Sequence, residues 1–228
     1  MRRTTLAVLF LALTTPLATP AAAQRAGNND PTMRVAGSGV FPGGWHVFLD
    51  PNRFDHMTVK DLSFTMAGDS YHVTTGPAGI YWTDKDSAPN GSYTVTATFS
   101  QLKAPGGHGE AYGLVVAGRD LTSADKQSYV YFVVRGGDDY LINHRAGMAV
   151  HKLVNWTSNA AVKGKDGAGK ATNVLSIAVG ADSVRFLANG TQVAALSRAA
   201  LGDLSGSFGF RVNHNSDVAI TDLQFRKH

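Results

Sequence analysis

Residues 112–156 read YGLVVAGRD (112–120), LTSADKQS (121–128), YVYFVVR (129–135), GGDD (136–139), YLINHR (140–145) and AGMAVHKLVNW (146–156). Short apolar runs are separated by polar turns that carry Gly or Asp. Side chains of a strand alternate between its two faces. In the run 129–135, Val130, Phe132 and Val134 therefore share one face, and Tyr129, Tyr131, Val133 and Arg135 the other. The first set is wholly apolar and is expected in the core. The second suits a half-wet face open to a ligand. Asp138-Asp139 falls in the GGDD turn, where Asp is favoured for its turn geometry rather than as a catalytic pair.

The same pattern extends outward. Tyr93, Val95, Ala97 and Phe99 alternate with Thr94, Thr96, Thr98 and Ser100, which predicts a strand with one buried and one hydrated face. Further strands are expected over Gly43–Phe48, Leu62–Met66, Ser70–Thr74, Ala78–Thr83, Asn173–Gly180, Ser183–Ala188, Thr191–Leu196, Gly206–Asn213 and Asp217–Arg226. Asn189-Gly190 between two of these is a strong signal for a two-residue hairpin turn. Loops are expected at Asp50–Asp55, Asp84–Ser92, Ala104–Gly109 and Thr157–Thr172, and a short helical turn at Leu201–Leu204. Lys163–Lys170 (KGKDGAGK) resembles a phosphate cradle only in composition, because no helix follows it. Many short strands without helical periodicity argue an all-β sandwich or jelly roll.

The N-terminus reads as a targeting segment. Arg2 and Arg3 precede a short apolar run, Leu6–Leu13, and Ala21-Ala22-Ala23 offers a small-residue cleavage site. Residues 1–23 are expected to be a signal peptide, 24–40 a flexible leader, and 41–228 one domain, exported to the periplasm or the extracellular space. No later run is long enough for a membrane span. The formal charge of +4 falls to +2 once Arg2 and Arg3 are removed, and no long Lys/Arg cluster remains. No nucleic-acid partner is indicated. The absence of Cys excludes disulfides, thiol catalysis and Cys-ligated zinc, so stability must come from a sizeable core.

The order of the pieces GIYWT, YTVTATFSQL, YVYFVVR, YLINHR, LSIAVGADSVRFLANGTQVAAL and GSFGFRVNHNSDVAITDLQF carries a likeness. From about Trp45 to Phe225 the chain resembles the concanavalin A-like lectin/glucanase superfamily. Within it, the chain is most similar to laminin-G-like and 3-keto-disaccharide-hydrolase-like domains related to glycoside hydrolase family 16. The resemblance implies two curved antiparallel sheets packed face to face, with carbohydrate bound on the concave face or its rim. It also implies a possible calcium ion, for which Asp84/Asp86 and Asp120/Asp125 are the candidate loops.

Three functions remain open at this point: a carbohydrate-binding module, a glycoside-hydrolase-like enzyme and a protein-interaction module. The superfamily's glucanases share a strand with two Glu residues, and glycosidases usually need a carboxylate pair. Glu110 is the sole Glu of this chain, which weighs against that mechanism and leaves it as the one catalytic candidate. A lone acid there is expected on a solvated rim. The eight His residues form no metal-binding spacing. The expected carbohydrate site is Tyr129, Tyr131, Arg135, His144, Glu110, Arg119 and Trp156, because sugars present flat C–H faces to aromatic rings and hydroxyls to polar side chains. His144, sharing a face with Tyr140 and Ile142, reads as a partly buried strand residue before it reads as a catalytic one. His214 reads as a loop residue.

Overall fold

The computed structural model describes residues 35, 37–51, 57–103 and 110–228. The segment expected to be a signal peptide, most of the expected leader, the greater part of the expected Asp50–Asp55 turn and the expected Ala104–Gly109 loop lie outside the described residues. Among the described residues are fourteen strands: β1 (Trp45–Leu49), β2 (Leu62–Ala67), β3 (Ser70–Thr75), β4 (Gly79–Ala88), β5 (Tyr93–Lys103), β6 (Ala111–Arg119), β7 (Ser128–Arg135), β8 (Asp139–Ala146), β9 (Ala149–Ser158), β10 (Ala171–Val179), β11 (Ser183–Ala188), β12 (Thr191–Ser197), β13 (Gly206–Val212) and β14 (Ser216–Lys227). They form two seven-stranded antiparallel sheets, ordered β1-β4-β13-β6-β7-β8-β9 and β12-β11-β10-β5-β14-β3-β2. The molecule is an all-β jelly-roll sandwich. No helix among the described residues is long and apolar enough to cross a membrane.

The core lies between the sheets. Val130, Phe132 and Val134 of β7 face it, as do Val95, Ala97 and Phe99 of β5 and Leu175 and Ile177 of β10. Phe132 meets Phe186 edge-on at 5.6 Å, and Phe99 stacks on Tyr112 at 5.6 Å. Each such fully buried large apolar side chain contributes about 1.5–3 kcal/mol. One polar group in this layer is fully satisfied. Asn173 donates to the Tyr112 hydroxyl at 3.1 Å and to the Lys163 carbonyl, and accepts from Asn189 at 2.8 Å. Burial pushes the Tyr112 phenol up to about 12, against the lowering effect of that hydrogen bond.

Turn chemistry sets the register. Asn189 and Gly190 both take positive φ, 51° and 81°, as a two-residue hairpin turn requires. The GGDD turn is a three-residue hairpin with Asp138 at φ 63°, so Arg135 faces Asp139 and the pairing counts outward from there. Two boundaries differ from expectation. β4 continues to Ala88 through the expected loop, because Ser87 and Ala88 pair with Ser207 and Gly206. The helical turn falls at Arg198–Leu201, closed by Gly202, whose N–H bonds the Arg198 carbonyl.

Candidate functional site

The first sheet buries both of its faces. On the face turned away from the core, Ile80, Trp82, Ala111, Val115, Leu121, Tyr129, Tyr131, Val133 and Leu141 form a second apolar cluster, with Phe48 and Trp156 packed against it. Tyr129 is 1% and Tyr131 6% exposed, so the half-wet face expected from the sequence is in fact withdrawn from water. Val115 and Asn143 flank Tyr131 and Arg145 lies opposite Tyr129, so side chains from the strands on either side cover the rings.

Cross-strand register lays this face out in rows. One row crosses the whole sheet as His46, Trp82, Gly209, Val115, Tyr131, Asn143 and Lys152. A second runs Phe48, Ile80, Arg211, Gly113, Val133 and Leu141. Tyr129 lies opposite Arg145. Glycine is needed twice. A Cβ at Gly209 would stand 2.0 Å from the Tyr81 carbonyl oxygen, and one at Gly113 2.0 Å from that of Phe132. Only glycine allows this close backbone approach.

Charge is held within this apolar face. Asp50, just past β1, takes two parallel hydrogen bonds from Arg211, with Nη1 to Oδ1 at 2.9 Å and Nη2 to Oδ2. Arg145 Nη2 approaches the same Oδ2 at 3.5 Å. Burial pushes the Asp50 carboxyl up, but Arg211 and then Arg145 overcome this and hold it below the ordinary carboxylate range. The Asp50 charge in turn raises Arg211 against its own burial. The Arg211 guanidinium also lies 5.0 Å from the centre of the Tyr131 ring, within cation–π range, and its Nε donates to Asn213. Asn143 donates to the Tyr131 hydroxyl at 2.7 Å. Three buried polar atoms here, Tyr129 Oη, Asn143 Oδ1 and Arg145 Nε, have no hydrogen bond of ordinary geometry. Burial raises the Tyr129 phenol, with Arg211 and Arg145 acting in the opposite direction.

The expected site residues separate into groups. Tyr129 and Tyr131 stay together, their rings 5.8 Å apart. Arg135 stands 4.1 Å from the centre of the Trp156 ring and bonds Asp139 through Nε and Nη2, at the β7–β8 turn end of the same face. Hydrogen bonds from Ser158 and Arg135 keep the Asp139 carboxyl low.

Glu110 is not a solvated rim residue: it is 2% exposed, directly before β6. His214, in the β13–β14 turn, meets its Oε2 through Nδ1 at 2.5 Å, and this bond raises the His214 pKa against burial. His144 pairs with Val130 and belongs to the opposite, core-facing side, where it bonds Ser128 and lies beside His151. Burial lowers its pKa, with His151 and Arg119 adding to the effect. Arg119 lies at the other end of β6, held by the Asp203 carboxylate at 2.7 Å and by the Asp203 and Ser205 carbonyls. His144 and Arg119 come together instead with Ser128, Val130 and Asp203 around a small cleft that Tyr129 also borders, away from Tyr131.

Asp50, Arg211, Arg145, Asn143 and Trp82 were not expected in the site. Arg145 and Asn143 could have been found by counting outward from the GGDD hairpin, which sets them opposite Tyr129 and Tyr131. Of the calcium candidates, Asp84 bonds His46 and Asp86 bonds Thr83. Among the described residues no three His, Cys, Asp or Glu side chains gather in a way that could hold a metal.

No protein-family model matches this sequence, and no curated protein matches it. Solved structures do match in fold. A carbohydrate-binding module, CBM66 from Bacillus subtilis, superimposes with a TM-score of 0.57 at 10% identity, covering 81% of this chain and 96% of that one. The carbohydrate recognition domain of Emp47p gives 0.52 at 10% identity, over 89% and 97% of the two chains. A Bacillus licheniformis β-glucanase gives 0.50 at 9% identity, over 82% and 94%. The sandwich is thus of the concanavalin A-like and galectin-like kind.

Proposed function

We propose that this chain, acting as an exported protein, recognises carbohydrate on the outer face of its first sheet. One observation carries the reading. Within an aromatic-lined face, Tyr129 Oη, Asn143 Oδ1 and Arg145 Nε are buried without a hydrogen bond of ordinary geometry. Leaving such a group unsatisfied costs about 1–3 kcal/mol, and native structures keep few of them. Two donors and one acceptor beside tyrosine rings suit a ligand that is both hydroxylated and flat-faced. The structures it resembles in fold include a carbohydrate-binding module and a carbohydrate recognition domain, which supports the reading without deciding it.

The test is a glycan-binding screen, run with calcium and with chelator, in which the same sugars are assayed for cleavage. Saturable binding weakened by Tyr131→Ala supports recognition on this face. Absence of binding to every glycan overturns it. A second reading, hydrolysis of a glycosidic bond, rests on the contact of buried Glu110 with the half-exposed His214 at the end of this face. It predicts products that Glu110→Gln abolishes while the fold is retained.

A further inference from the structure

We infer that the carbohydrate bound on this face is acidic, with a carboxylate that lies against Arg145. The inference rests on the reading above and adds the ligand's charge.

It follows from the distribution of charge. Asp50 spends both oxygens on Arg211 in a two-bond fork. Arg145 reaches that carboxylate only at 3.5 Å, its Nη1 contact with the Met148 carbonyl is long at 3.4 Å, and it also acts as a donor toward the Tyr129 hydroxyl. Yet Arg145 is 8% exposed, and its Nε has no acceptor. One half-buried carboxylate thus serves two buried guanidiniums. A desolvated cation whose counter-charge is shared with a second guanidinium is only partly compensated, and a planar carboxylate fits a guanidinium edge through two parallel hydrogen bonds.

The neighbours add to the positive charge. Lys152 is exposed on the same face, opposite Asn143, while Val150, opposite Arg145, is 42% exposed. The β9 edge is therefore the side from which a ligand meets Arg145. The remaining acids of the face are occupied: Glu110 by His214, Asp139 by Arg135 and Ser158, and Asp84 by His46. A uronate supplies what each unbonded atom lacks. Its carboxylate accepts from Arg145 Nε and Tyr129 Oη, and a ring hydroxyl donates to Asn143 Oδ1. A neutral sugar leaves the surplus charge uncompensated.

The experiment measures binding of galacturonate, glucuronate, mannuronate and guluronate oligomers, of their carboxyl-reduced neutral counterparts, and of a sulfated oligosaccharide. At least one uronate is expected to bind tenfold or more tightly than its reduced counterpart. Arg145→Gln, which leaves the Asp50–Arg211 pair in place, removes that preference, and Lys152→Gln reduces it. Neutral counterparts bound as tightly as the acids overturn the inference and leave the proposed function standing. Binding of the sulfated sugar alone overturns the carboxylate assignment. A preference unchanged in folded Arg145→Gln overturns the site. No binding by any member of the panel overturns the proposed function as well.

Discussion

The two outer faces of the sandwich are built on opposite principles. The second sheet presents Thr94, Thr96, Thr98 and Ser100 of β5 and Thr172 and Ser176 of β10, which pair locally as Thr96–Ser176 at 2.8 Å and Ser100–Thr172 at 3.0 Å. These hydroxyls sit at the surface and need nothing from the rest of the protein. The first sheet instead hides tyrosines, a tryptophan and two arginines, the arginines sharing one half-buried aspartate. A solvated face is the inexpensive solution for an antiparallel sheet. A buried face with charges in it must be maintained by specific pairing, which points to use.

That contrast can be broken most directly at Asp50. Asp50→Ala leaves Arg211 and Arg145 buried without their shared carboxylate, and should cost about 3–5 kcal/mol in urea unfolding. A loss below about 1 kcal/mol would mean that this face is as uncommitted as the other. Gly209→Ala comes next. Its methyl has no room beside the Tyr81 carbonyl, so a loss of about 1–3 kcal/mol is expected, with a lowered melting temperature as the readout.

Acidity separates the faces further. The Asp50 carboxyl is held low, so its stabilisation is present above the ordinary carboxylate range and is lost as pH falls through the folded value. His214 has the opposite sign. Its pKa is raised, so its contribution is complete below the ordinary histidine value and fades as pH rises through the folded one. His214→Gln should flatten the near-neutral limb of the melting-temperature profile and leave the acid limb in place. The smallest effect belongs to the second sheet. Thr96→Val should change stability by less than about 0.5 kcal/mol, and a larger loss would show that its hydroxyl pairs are structural.

The difference between the faces was already present in the strand patterns. In β5 apolar residues alternate strictly with hydroxyls, and burial follows that alternation. In β7, YVYFVVR never alternates, which is the mark of a strand buried on both sides. Reading Tyr129 and Tyr131 as half wet treated β7 in isolation, whereas the neighbours on both sides close over them.

Local chemistry was enough for the strands, for the Asn189-Gly190 hairpin and for the inward set Val130, Phe132 and Val134, because alternation and turn preference act over a few residues. Counting from the GGDD turn would also have placed Arg145 and Asn143, which were not expected, opposite the tyrosines. The assembly of the charged centre was not local. Asp50 and Arg211 are 161 residues apart, and β13 inserts between β4 and β6. Nor could the sequence show that Glu110 is buried against His214, or that Arg119 is drawn to Asp203 at the far end of β6. Those contacts depend on which strands neighbour one another and on bulges such as that between Val116 and Arg119. Sheet order and register are decided by packing the whole sandwich, and a displacement of one residue exchanges one face for the other.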